Sequence, residues 1–184
     1  MAYDVAVLVG SLRNGSFSRA VAENLATLAK DKLALRIVEI GDLPLYNPDL
    51  DGDAPPPAPW TRFRNEVSRA DAVLFVTPEY NRSIPGLLKN ALDVGSRPYG
   101  QSVWQGKPTA IVSVSPGLLG AFGANHHLRQ PLVFLDMPVM QQPEAYVSKV
   151  GDLLDKGGKL TNEDTKGFLS NFLAAFATWI GKHK

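Results

Sequence analysis

Residues 10–18, Gly-Ser-Leu-Arg-Asn-Gly-Ser-Phe-Ser, place three hydroxyls, one guanidinium and two glycines between the apolar run Val5–Val9 and an amphipathic segment. A tight turn from a buried strand into a helix leaves several backbone N–H groups without acceptors, beside the positive end of the helix dipole. Phosphate is the ligand that such a turn suits. Ser11, Ser16 and Ser18 add hydroxyl donors and Arg13 adds a planar cation matched to phosphate oxygens, while Gly10 and Gly15 permit a close backbone approach. A second stretch, Pro78-Glu79-Tyr80-Asn81, follows the run Ala72–Val76 and offers backbone donors and acceptors, an aromatic ring and an amide. That set suits a flat heteroaromatic ring with polar edges. A third, Ser113–Gly123, brings further hydroxyls and glycines after Thr109–Val114. Taken singly, each turn is explained by the ordinary Gly, Ser and Asn preferences of connections. Three of them at the carboxyl edge of one sheet mark a ligand site, because open α/β sheets bind there, near the point where strand order reverses.

The elements that must position these turns are legible as alternation. Apolar runs of strand length recur at Val5–Val9, Leu35–Ile40, Ala72–Val76 and Thr109–Val114, with a shorter Pro138–Met140 after them. Between and after them the sequence predicts helices over Ser18–Lys30, Trp60–Arg69, Pro85–Val94, Ala121–Phe134 and Asn162–Lys182. Alternating strands and helices signal βαβ units. The first four runs are nearly continuous in Val, Ile, Leu and Ala, as expected of strands covered on both faces. Pro85 suits the first turn of its helix, and Thr161 with Asp164 makes a capping pair for the last one. Asp49–Pro59, rich in Pro, Asp and Gly, reads as a surface loop, and Lys149–Lys159 as a solvated, charge-rich one. The expectation is one α/β domain over residues 1–184.

The 184 residues carry 19 Lys and Arg against 18 Asp and Glu, a formal net charge of +1, so no global field draws the chain to nucleic acid or to an anionic membrane. Any anion site must therefore be local. With no cysteine, disulfides, thiolate metal sites and a cysteine nucleophile are excluded. No run of membrane-spanning length occurs and the first residues carry no basic, export-type segment, which predicts a cytoplasmic protein without membrane insertion. Neither G-x-G-x-x-G nor G-x-x-x-x-G-K-[ST] is present, so the opening turn belongs to neither a Rossmann dinucleotide site nor a P-loop.

In "GSLRNGSFSR", "PEYNRSIPGLLKNALD" and "SVSPG…HHLRQPLVFLD" the sequence resembles the NAD(P)H-dependent FMN reductase family, the flavodoxin-like group that includes bacterial quinone and chromate reductases. The resemblance implies a three-layer sandwich with a five-stranded parallel sheet of order 2-1-3-4-5. It also implies that Ser11, Arg13, Ser16, Phe17 and Ser18 hold the phosphate and ribityl end of FMN. Pro78, Glu79, Tyr80 and Asn81 would line the isoalloxazine, with Ser115 and Gly117 closing the other side. The sequence departs from the family's usual pattern at Ser18 (Asn in many members), at Val94 (often Trp) and at Gly120-Ala121-Phe122-Gly123 (often Gly-Gly-Ala-Arg).

The implied activity is oxidation of NADPH or NADH with reduction of quinones, chromate or other small oxidants, in a ping-pong order and with the chemistry at flavin N5 rather than at a catalytic side chain. Tyr80 and Asn81 would also meet the substrate, and Arg97 is a candidate for anionic acceptors. A homodimer or homotetramer is implied, with Phe122, Leu128, Leu132, Val133 and Leu135 serving either an interface or the core and with His126 and Glu144 as polar interface residues. The rival from another class is a flavodoxin-like FMN electron carrier acting between protein partners. Carriers of that kind tend to be strongly acidic, and this chain is balanced. Ser113 or Ser115 with His126 or His127 and Asp136 lacks the G-x-S-x-G elbow of a hydrolase, and adjacent histidines diverge on a helix, so neither a triad nor a metal site is expected.

Overall fold

The structure is a computed structural model that describes residues 1–52 and 54–184, for Lys30 the backbone alone. Five strands, β1 (Tyr3–Val9), β2 (Leu33–Ile37), β3 (Ala72–Thr77), β4 (Thr109–Val114) and β5 (Ala145–Val147), form one sheet of order 2-1-3-4-5. Every pairing is parallel, with Val5 opposite Leu35, Val7 opposite Leu74, Phe75 opposite Ile111 and Ser113 opposite Tyr146. The helices are α1 (Phe17–Leu28), α2 (Ala58–Arg69), α3 (Gly86–Gly95), α4 (Phe122–Phe134), α5 (Val150–Leu153) and α6 (Glu163–Lys182).

Side chains alternate faces along a strand, and here both faces are apolar, which is why the strand sequences run almost unbroken. Val5, Val7, Val9, Leu74 and Val112 point to one side, where Val21 and Leu25 of α1 and Phe172, Leu173 and Phe176 of α6 cover them. Ala6, Leu8, Val73, Phe75 and Ile111 point to the other, against Trp60 and Phe63 of α2, Leu88 and Leu92 of α3 and Leu128 of α4. Trp60 and Phe63 are fully buried. Truncating either to alanine costs about 3–5 kcal/mol.

Four sequence expectations are corrected. The fifth strand is Ala145–Val147, not Pro138–Met140. The latter segment only brushes the start of β4, with Thr109 N donating to Pro138 O and Met140 N to Thr109 O, and Pro138 brings no N–H to a ladder. β2 begins and ends earlier than expected: Val38 N still donates to Val7 O at 2.9 Å, but the strand stops at Ile37, and Val38 and Ile40 are buried with Trp60 and Phe63 of α2. The last helix is capped by Asn162, whose Oδ1 accepts from Thr165 N at 2.9 Å, rather than by Thr161 with Asp164. Pro85 stands one place outside α3, as its N-cap.

Two stretches expected to be solvated are tied down. Asp51, in the proline-rich loop, forms a bidentate pair with Arg64 at 2.9 and 2.7 Å, with 5% of its side chain exposed. Residues 149–159 hold α5 and a turn pinned to α1 by Asn24, whose Nδ2 donates to Gly158 O at 2.8 Å and whose Oδ1 accepts from Leu160 N at 2.9 Å. Leu160 is buried there, while Lys149, Lys156 and Lys159 stay exposed to solvent.

Candidate functional site

The joint between β1 and α1 has the features its sequence demands. Gly10 N donates to Val76 O at 2.9 Å, holding the joint against β3. A Cβ at Gly10 would lie 2.8 Å from Leu88 Cδ1 and 3.0 Å from Pro78 Cδ. Gly15 adopts φ +65°, open to glycine at no steric cost. Ser16 caps α1, its Oγ accepting from Arg19 N at 3.2 Å, a cap worth about 1 kcal/mol. The N–H groups of Phe17 and Ser18, in the first turn, have no acceptor within the helix. Arg13 donates to Gly15 O at 2.8 Å, lies 5.1 Å from the Phe17 ring and has no carboxylate partner among the described residues. Ser18 is 2% exposed as a residue, and its hydroxyl makes no hydrogen bond among the described residues. No sealed side-chain polar atom there lacks a partner, so the Ser18 oxygen opens onto the cleft, where it can donate to a ligand.

After β3, Tyr80 and Ser83 exchange two backbone hydrogen bonds of 3.0 Å across Asn81 and Arg82, which sit at φ +52° and +63°, the signs of a type I′ turn. Glu79 turns away from solvent: its Oε2 accepts from Ala124 N at 3.0 Å and its Oε1 pairs with Arg82 at 3.3 Å. After β4, Ser115 Oγ accepts from Gly117 N at 3.0 Å, and Ser115 N and O bond to Val147 and Val150. Ser113 is spent structurally, donating to Gly120 O at 2.7 Å.

These loops enclose a cleft of about 320 Å³ lined by Ser11, Arg13, Ser16, Phe17, Ser18, Pro78, Glu79, Tyr80 and Ser115, with Val114 and Pro116. Nine expected residues thus converge. Asn81 and Gly117 stand beside the cleft in the same turns without lining it. Arg97 is elsewhere: it lines a groove of about 710 Å³ between α3 and α4, with Ser83, His127 and Phe134. On the far side of Arg13 and Ser16 the cleft adjoins a second hollow of about 590 Å³, walled by α1 and by residues 151–158. Sequence reasoning missed that wall. Gly151 and Gly157-Gly158 after β5 carried the signal, hidden once the fifth strand was placed on Pro138–Met140.

Near the third loop, His126 lies 3.0 Å from Tyr146 Oη and 3.7 Å from Glu144, with Phe122 stacked 4.2 Å from the imidazole. Burial, with Glu144 adding to it, pushes the Tyr146 phenol up to about 12, so it stays neutral across the physiological range. His127 bonds to Ser83, not to Ser113 or Ser115. Among the described residues no three His, Asp or Glu side chains gather as metal ligands, and no helix is long and apolar enough to cross a membrane.

Residues 3–152 match the family described as NADPH-dependent FMN reductase. The chain belongs to that family. It is accordingly an oxidoreductase that uses FMN and NAD(P)H. It is 65% identical over 178 residues to a quinone reductase of Pseudomonas putida, covering 97% of this chain and 95% of that one. It is 47% identical to a 2-hydroxy-1,4-benzoquinone reductase of a Burkholderia species, covering 98% and 97%. Among solved structures, the flavoenzyme NAD(P)H:(acceptor) oxidoreductase FerB from Paracoccus denitrificans superposes with a TM-score of 0.92 at 43% identity, covering 99% of both chains. The cleft suits FMN by its own chemistry: a hydroxyl that opens onto it, a guanidinium with no carboxylate partner among the described residues and first-turn N–H groups fit a phosphate, and Pro78, Tyr80 and Pro116 fit a flat ring.

Proposed function

We propose that the protein is an FMN-dependent NAD(P)H:quinone oxidoreductase whose cofactor is held in the cleft between the joint after β1 and the loops after β3 and β4. The observation that carries this reading is the convergence on one cleft of the Ser18 hydroxyl, which opens onto it at the first turn of α1, and the Arg13 guanidinium, which has no carboxylate partner among the described residues, with the loop 78–80 and Ser115 opposite. Ser11, Arg13, Ser16, Phe17 and Ser18 hold the phosphate and ribityl end. Pro78, Glu79, Tyr80 and Asn81 form one wall around the ring, and Ser115 and Gly117 the other. FMN supplies the two-electron chemistry that links a reduced nicotinamide to a quinone.

The chain's own part is positional and electrostatic. The 80–83 turn leaves the N–H groups of Asn81 and Arg82 outside its two cross-turn bonds, free to stabilise negative charge at the ring edge. Tyr80, half exposed, packs beside the ring and leaves one face open. NAD(P)H and acceptor use that single face in turn, which gives ping-pong order. The quinone activities named for the 65% and 47% identical relatives support the acceptor class. Chromate is a secondary acceptor in this reading; Arg97 lines the groove between α3 and α4 and not the cleft, so its part would be to attract anionic acceptors to the molecule rather than to hold them at the ring. A homodimer or homotetramer in the cytoplasm completes the reading. Leu128 and Leu132 of the expected stripe are core, whereas Phe122, Val133 and Phe134 are exposed and suit a subunit contact.

Initial rates of NADPH and NADH oxidation at several benzoquinone concentrations test the proposal. Parallel double-reciprocal lines are expected. Intersecting lines would remove the ping-pong order, and absence of turnover without a separate reductase would favour the electron carrier.

A further inference from the structure

Helix α4 starts without a cap of its own. Ala121 at its N-cap offers no side-chain acceptor and sits at φ +60°, in the left-handed region, and no acidic residue follows in the first turn. The missing acceptor comes from 45 residues away: Glu79 Oε2 takes the Ala124 N–H at 3.0 Å, with 15% of the Glu79 side chain exposed. Position 123 is shaped to admit it. A Cβ on Gly123 would lie 2.8 Å from Glu79 Oε2 and 3.1 Å from Arg82 O, so a glycine stands at a half-buried helix position where alanine would ordinarily be the better helix former. The other Glu79 oxygen holds Arg82, the second residue of the tight turn.

We propose that Glu79 is a positioning residue: its carboxylate clamps the 78–83 turn to the start of α4, and Gly123 is the seat of that clamp. The wall of the cleft that carries Tyr80 and Asn81 is thereby fixed to the helix that follows the third loop, so two walls of the site move as one body. A carboxylate at a helix start is favoured by both hydrogen bonding and the dipole. The consequence for FMN rests on the proposed function above; the clamp itself does not.

The test uses the full-length chain, with FMN added or withheld. Without FMN, Glu79→Ala accelerates hydrogen exchange of the Ala124 amide by roughly tenfold or more, as expected for losing one charge-assisted hydrogen bond. Glu79→Gln, which keeps an acceptor oxygen, restores the amide to within about threefold of the parent, the size of a weakened but retained bond. With FMN, the Kd rises about tenfold in Glu79→Ala and is rescued by Gln to the same degree. Gly123→Ala, made with Glu79 in place, also speeds exchange and weakens FMN, and this penalty shrinks in the Glu79→Ala background because the two residues act through one contact. Unchanged exchange in Glu79→Ala, a Gln variant no better than Ala, or fully additive Gly123→Ala effects would overturn the clamp. If Glu79→Ala does not fold, the Gln and Gly123→Ala variants decide. A parent chain that binds no FMN would sink the proposed function, while the exchange measurements would still decide the clamp.

Discussion

The two edges of the sheet treat their charges in opposite ways. At the amino edge, Asp4, Asp71, Lys107, Lys184, Arg36 and Glu66 form a closed network: Arg36 pairs with Asp4 and Glu66 at 3.3 and 3.4 Å, Lys184 pairs with Asp71, and Lys107 donates to Ser68 O and Ala70 O. At the carboxyl edge, Arg13 has no acid and the Ser18 hydroxyl has no partner among the described residues, and both line an open cleft. Polar groups paired with one another at one edge and turned toward an open cleft at the other leave hydrogen-bonding capacity for a ligand at the second only. The contrast supports the proposed site without reference to any relative.

Substitutions at the two edges should therefore separate binding from stability. Arg13→Ala removes a guanidinium whose only hydrogen-bond acceptor among the described residues is Gly15 O. It should cost about 1–3 kcal/mol of FMN affinity and leave the melting temperature unchanged. Fluorescence titration of FMN beside a thermal melt checks both halves. Ser18→Ala should cost about 0.5–1.5 kcal/mol of FMN affinity, again with no loss of stability, because no hydrogen bond of the folded chain is broken. A destabilised Ser18→Ala protein would mean that the hydroxyl already has a partner.

The smallest effect belongs to the amino edge. Burial opposes ionisation of Asp71, but the hydrogen bond from Lys184, the Asp4 N–H and the nearby lysine charges outweigh it and hold its carboxyl below the ordinary value of 3.8. A depressed folded-state value means stability that is present above about pH 3.8 and is lost as the pH falls through the folded value. Asp71→Asn should flatten that acid limb in urea melts between pH 5 and 2, within the range where carboxylates titrate in folded and unfolded chains, and leave FMN affinity at neutral pH untouched.

How far the sequence foretold this division can be argued residue by residue. Strands β1, β3 and β4 were legible because residues covered on both faces must be apolar without interruption, and the turn after each then fell at the carboxyl edge by topology alone. The fifth strand was not. Ala145–Val147 is three residues long, and its apolar signal is weaker than that of Pro138–Met140, of which Met140 alone is buried. Losing β5 concealed the wall at 151–158. The role of Glu79 was equally hidden, since a cap contributed by a residue 45 positions away leaves no local pattern; Ala121 in the left-handed region and Gly123 acquire meaning only once the two loops meet. Ser18, by contrast, could be read as a candidate phosphate donor from its place in the first turn, and the structure puts it on the wall of the cleft.

The central claim is that the joint between β1 and α1 grips a phosphate. Isothermal titration of the flavin-free chain with FMN and, separately, with riboflavin tests it most directly, because the two differ only in that group. One FMN per chain, bound at least about a hundredfold more tightly than riboflavin, is the predicted result, the difference expected of two or more charge-assisted hydrogen bonds to phosphate. Equal affinity for the two flavins, or no heat with FMN, would contradict it.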